Sequence, residues 1–161
     1  MTVLDQSGIT IDLPAGWEGR IYRRPEEPAV GAVAGSSATG PVERTNTVVH
    51  VANFPLAPEV ADYGGGAVEV MTNRDLLVVL CEFGPSSVGQ ALFAAQGVPR
   101  LTPDDFGTHS MQRVIEGQGG AQKFFTEAGR AFCLYVVLGS YARRVRTVPL
   151  VNELIGTITI A

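Results

Sequence analysis

The chain has 161 residues, 45% of them hydrophobic and 17% charged, a balance that argues against global disorder and suffices for one domain with its own core. Its formal net charge of −4 argues against a general nucleic-acid-binding role, which needs a dominant positive field. No run approaches the roughly 20 apolar residues of a membrane-spanning helix, and Met1 to Gln6 lacks the basic-then-apolar pattern of a signal peptide. The expectation is a cytoplasmic chain that does not engage a membrane.

In chain order, Ile9, Ile11 and Leu13 alternate with Thr10 and Asp12, the period of a half-buried strand. Pro14-Ala15-Gly16 turns the chain, and Trp17 to Tyr22 reads as a second strand. Pro25 to Asn46 holds an Ala/Gly/Ser/Thr run that buries too little to offset its ordering entropy. A mobile surface loop at 25–46 within a single domain of residues 1–161 is expected. Thr47 to Phe54 is a strand carrying His50, closed by Pro55 and Pro58. Leu76 to Phe83 is apolar on both alternating faces apart from Glu82. A short helix is expected after Ser87, because Val88, Ala91, Leu92 and Ala95 recur at helical spacing.

The last third predicts a three-strand meander: Met111 to Glu116, Gln122 to Glu127, and a strand from Arg130, joined by glycine turns. In that last strand Ala131, Cys133, Tyr135 and Val137 point one way, and Phe132, Leu134, Val136 and Leu138 the other. A strand apolar on both faces needs cover on both, so it belongs at the centre of a layered domain. A terminal helix follows, with Thr147 as cap and Pro149 in its first turn. Leu150, Val151, Leu154 and Ile155 form its buried stripe, and Thr157 to Ile160 closes as a strand.

Catalytic equipment is thin. His50 and His109 are the two histidines, and Cys81 and Cys133 the two cysteines. Without close spacing they do not make a zinc site, and the thiols read as buried hydrophobes, a disulfide being possible only if their strands are neighbours and disfavoured by a reducing cytoplasm. His109, Ser110 and Asp104 or Asp105 spell a triad in letters only, without a nucleophile elbow. Gly64-Gly65-Gly66 and Gly117-Gln118-Gly119-Gly120 lack the residues and flanking elements of a phosphate loop. No catalytic residue, metal site or cofactor is expected. Arg143, Arg144 and Arg146, with Arg20, Arg23 and Arg24, form two positive patches, either able to grip a carboxylate or phosphate, and few aromatics interleave with them as nucleic acid would need.

Leu13-Pro14-x-Gly16-Trp17, Phe125-x-x-x-Gly129-Arg130 and the tail Val151-Asn152-Glu153-Leu154-Ile155-Gly156-Thr157-Ile158 come in an order that resembles the PsbP-type fold. The resemblance spans most of the chain outside Pro25 to Asn46, although the lipidation cysteine of that group's lipoproteins is missing. It implies an α+β class, a central antiparallel sheet covered by helices on both faces, an α/β/α sandwich. It further implies a largely non-enzymatic group working through protein binding. The leading expectation is therefore a non-catalytic accessory or assembly domain acting through protein–protein contacts at the six arginines, with homo-oligomerisation left open. The alternative is a small-molecule-binding protein or enzyme with a pocket near Trp17, His50 or His109.

Overall fold

A computed structural model describes residues 2–25 and 45–161. The expected loop at 25–46 falls, for residues 26–44, outside the described residues. Eight strands run β1 (Thr2–Gln6), β2 (Ile9–Leu13), β3 (Glu18–Pro25), β4 (Thr45–Ala52), β5 (Leu76–Phe83), β6 (Gly119–Glu127), β7 (Arg130–Leu138) and β8 (Thr159–Ile160), with one α-helix, α1 (Arg144–Ile155), between β7 and β8. They pair into a three-stranded sheet, β1-β2-β8, and a five-stranded sheet, β3-β4-β5-β7-β6. Every pairing is antiparallel.

Two hairpins set the registers. Gln6 pairs with Ile9 across Ser7-Gly8, and Glu127 pairs with Arg130 across Ala128-Gly129. Both central residues of each turn have positive φ, 58° and 76° in the first, 52° and 71° in the second. That is the two-residue geometry whose twist matches the flanking strands, and glycine supplies its second residue at no steric cost.

The long strand at Arg130 is interior, flanked by β5 and the edge strand β6, as its two apolar faces predict, with Phe132, Cys133, Val136 and Leu138 fully buried; the middle strand is β5. Its covers differ from expectation. On one face Val49, Val78, Leu80, Leu134 and Val136 pack against Val148, Val151 and Leu154 of α1 and against Ile9, Ile11 and Leu13 of the small sheet. On the other face Val48, Leu77, Val79, Cys133, Tyr135 and Val137 meet Phe54, Tyr63, Ala67 and Val68. These come from residues 53–75, which hold a single 3-10 turn, Val68–Val70. The expectation of helices on both faces is therefore wrong. Among the described residues the structure is mainly β, with one 12-residue helix on one face and irregular chain on the other.

Three local expectations also fail. The helix after Ser87 is two separate 3-10 turns, Pro85–Ser87 and Ala91–Phe93, because Gly89 between them sits at φ +90°, outside helical space. Met111 to Glu116 is not a strand, so the meander loses its first member. Helix α1 begins at Arg144, before Thr147, whose hydroxyl donates to Arg143 O at 3.1 Å within the helix, and Pro149 lies inside it. The strand at Thr2–Gln6 had no sequence signal, because four of its five residues are exposed and no apolar alternation marks it.

Candidate functional site

The face of the five-stranded sheet covered by residues 53–75 carries a cluster of polar side chains. Strand alternation puts Arg20, Tyr22 and Arg24 of β3 on that face with His50 of β4. These side chains hold the irregular segment down. The Arg20 guanidinium donates to Pro58 O at 2.9 Å and to Ala57 O. Arg24 pairs with the Asp62 carboxylate, and Tyr22 donates its hydroxyl to Asp62 Oδ1 at 3.3 Å. His50 Nε2 lies 2.8 Å from the Asp62 carbonyl oxygen. Glu18 Oε2 accepts from Leu56 N at 3.1 Å. The Cys81 thiol also reaches the Asp62 carbonyl oxygen, at 3.9 Å, so Asp62 is the point where four sheet side chains converge on the cover.

His50 is fully buried. Burial, and then the nearby charges of Arg20 and Arg24, push its pKa down to about 4, so the ring is neutral at physiological pH. A carbonyl can only accept, so Nε2 carries the proton and Nδ1 keeps a bare lone pair. No hydrogen-bond partner reaches Nδ1.

Two cavities open between the sheet and this cover. One, of about 520 Å³, is lined by Arg20, Tyr22, His50, Glu59 and Val60. The other, of about 390 Å³, has Tyr63, Val68, Tyr135, Val137 and Gln118 in its wall. The two share Ala61. Tyr63 and Tyr135 stand edge to face there, with centroids 5.5 Å apart. The Tyr135 hydroxyl oxygen accepts from Gln112 N at 2.9 Å. At the rim of the smaller cavity, Arg24 is paired with Asp62 and Arg113 with Glu69 at 3.0 Å. Backbone N–H groups and Arg113 hold the exposed Glu69 carboxyl below its usual value.

Gln118 is buried in the wall of the smaller cavity, and its Nε2 donates to Val68 O at 2.8 Å. The reverse amide orientation would set two acceptors against each other, so the amide faces Val68 with nitrogen. Its Oε1 is left without a partner. Among the described residues, Gln118 Oε1 and His50 Nδ1 are the two buried side-chain polar atoms with none, both shielded from water, and the residues that carry them stand in the walls of the two cavities.

The remaining candidates scatter. Trp17 packs on the opposite core, beside the small sheet, so it does not share a pocket with His50. His109 is exposed in a polar cleft with Asp105 and Ser110. Asp105 is engaged otherwise, with Lys123 at 2.8 Å and with Thr102 N at 2.7 Å, so no triad forms. Arg23 donates to Ser7 Oγ at 3.1 Å, and the Arg144 guanidinium stacks 4.1 Å over Tyr141. Arg143 is half-buried and Arg146 exposed at the start of α1. The expected arginine surface is thus divided, with Arg20 and Arg24 holding the cover in place. Cys81 and Cys133 prove to be directly opposed on neighbouring strands, both free and buried. Among the described residues no group of three or more His, Cys, Asp or Glu side chains could hold a metal ion.

Tyr63, Asp62, Gln118 and Tyr135 were not singled out by sequence reasoning. Gln118 stands among glycines that signal only a turn, and Asp62-Tyr63 lies in a stretch without period. The one available signal was an aromatic beside Gly64-Gly65-Gly66, a bulky side chain next to backbone able to fold around it.

No protein-family model, no curated protein and no solved structure matches this chain, and nothing in these comparisons bears on the PsbP-type resemblance. Among the described residues no helix is long and apolar enough to cross a membrane.

Proposed function

We propose that the chain is a non-catalytic binding domain for a small molecule held between the five-stranded sheet and residues 53–75. The observation that carries this reading is the coincidence of two unpaired buried acceptors with two cavities. Folded proteins rarely leave buried polar atoms without partners, because each costs about 1–3 kcal/mol. Ligand sites combine apolar walls with a few such groups, in volumes of roughly 300–1,000 Å³. Both cavities fall in that range. Catalysis draws less support. The His50 ring is fixed and neutral, and burial keeps the nearby thiols protonated, pushing Cys81 up to about 12 and Cys133 up to about 11. The expected setting remains the reducing cytoplasm, where such thiols serve as small apolar fillers.

Protein-observed NMR with a set of neutral aromatic fragments tests the reading. Resonances of Leu77, Val79 and Val137, on the cavity face, should shift, while Val78, Leu80 and Val136, on the helix face, should not. A set in which no fragment moves the cavity-face signals overturns the proposal.

A further inference from the structure

Helix α1 turns apolar side chains to solvent as well as to the core. Its buried stripe includes Val148, Val151, Leu154 and Ile155. At 3.6 residues per turn the opposite side carries Val145, Arg146, Pro149, Leu150 and Glu153. All five are exposed, Val145 at 68% and Leu150 at 49%. A helix on the surface of a domain ordinarily sets charged and polar residues there. Apolar side chains gathered on one outward stripe, rather than scattered singly, are the signature of a contact surface.

The two charges of this stripe stand at opposite ends of it. Arg146 precedes the apolar centre at Pro149 and Leu150, and Glu153 follows it. Seven residues, or about 10 Å along the axis, keep the two apart. Among the described residues neither forms an ion pair. A stripe that is positive at one end and negative at the other is complementary to its own reverse.

We infer that this face of α1 is a homodimer interface, with the helices of two copies packed antiparallel about a two-fold axis near Pro149 and Leu150. Arg146 of each copy then meets Glu153 of the other, and the two Leu150 side chains meet at the axis. A two-fold contact uses one patch twice, so it requires this self-complementarity. The antiparallel sense also separates the clusters of Arg143, Arg144 and Arg146 at the two helix starts, which a parallel pair would bring together. An acidic partner protein would suit the arginines and repel Glu153; a second copy of the chain suits both. One short helix from each copy buries less than the roughly 1,200 Å² of a standard stable interface, so the dimer is weak, with Kd on the order of 100 μM.

Sedimentation equilibrium of the full chain, from about 10 μM to about 1 mM, tests this. The mass should climb from that of one chain, 17.0 kDa, towards twice that value. Arg146→Glu and Glu153→Arg each set like charges together at both contacts, and each should weaken the dimer by about tenfold or more. An equimolar mixture of the two variants restores opposite charges at both contacts. Mixed dimers should therefore regain the unaltered affinity to within about threefold. Both positions are exposed, and circular dichroism checks that the variants keep the fold. If one of them fails to fold, Leu150→Asp, which sets two carboxylates against each other at the axis, takes its place as the disrupting change. A chain still monomeric at the highest concentration overturns the proposal and leaves the face to a partner of another sequence. Dimers indifferent to both reversals, or a mixture no tighter than either variant alone, overturn it too, because association then runs through another surface. None of these results bears on the small-molecule reading.

Discussion

Arg130 grips Glu82 through two hydrogen bonds, from Nε to Oε2 at 2.7 Å and from NH2 to Oε1 at 2.9 Å. The third guanidinium nitrogen, NH1, donates to the backbone oxygens of Ser7 at 2.9 Å and Ala161 at 3.1 Å. One side chain thereby ties β7 and β5 of the large sheet to the first hairpin and the final residue of the small one. A planar fork with several donors suits this role, and lysine has no equivalent geometry. Burial pushes the Glu82 carboxyl up, but the Arg130 hydrogen bonds and charge, with help from Thr47, outweigh it and hold it below its ordinary value.

Arg130→Met should therefore destabilise the fold by about 2 kcal/mol, since it strands a carboxylate that is largely out of water. Double replacement with Glu82→Gln should recover part of the loss. Urea titrations of the two single variants and the double variant give the coupling directly.

His50 makes stability depend on pH. Its folded pKa, about 4, lies below the ordinary 6.5, so between these values the unfolded chain binds the proton that the folded ring refuses. Stability is full above pH 6.5 and falls as the pH drops towards 4. The loss between pH 7 and pH 5 should be about 2 kcal/mol. The lowered pKa of Glu82 adds its own loss only below about its unfolded value of 4.5, so the two contributions separate on the pH axis. The NMR signal of the His50 ring should stay constant from pH 8 to 5.5, and a midpoint near 6.5 would contradict the buried neutral ring.

Cys81 and Cys133 should be inert in the folded protein. Burial raises both pKa values, to about 12 and about 11, and the thiolate is the reactive form. Ellman's reagent at pH 8 should give no prompt colour from the native chain and two equivalents in guanidinium chloride.

Gly139 is the position where a single methyl group should do most harm. A Cβ there would run into the carbonyl oxygen of Thr72, in the turn that Gly139 N already fastens through Asp75 O at 2.8 Å. Gly139→Ala should cost about 2 kcal/mol or more by overpacking, measurable as a lowered melting temperature. It should also broaden or shift NMR signals around Thr72 and Asp75 first, since the backbone there must move.

Strands of the large sheet were legible because burial on both faces leaves runs such as Leu76 to Phe83 and Ala131 to Leu138 with almost no polar residue. What covers those faces was not. Helix α1 announced itself by spacing, with Val151, Leu154 and Ile155 recurring on one side, while Leu150, expected in the same buried stripe, is exposed. Phe54, Tyr63, Val68 and Met71 cover the other face from chain without a period, so each looks like an isolated apolar residue in a loop. The same blindness hid the candidate site. His50 was visible as a histidine opposite two valines, but its loss of charge comes from Arg20, Arg24 and a cover that only the tertiary structure assembles. Gln118 carried no signal, because an unpaired carbonyl oxygen is a property of its surroundings.

The asymmetry between the two covers sets where the fold opens first. The helix side and the small sheet form one apolar cluster, and residues 53–75 form another, with the large sheet as the wall between them. Lifting the irregular segment would disturb one cluster and leave the strand ladder and the other intact. Amides of residues 61–71 should then exchange with deuterated water through a sub-global opening, well ahead of those in β5 and β7. The cover that looks least regular is then the part that lifts, and the sheet behind it does not have to melt for that to happen.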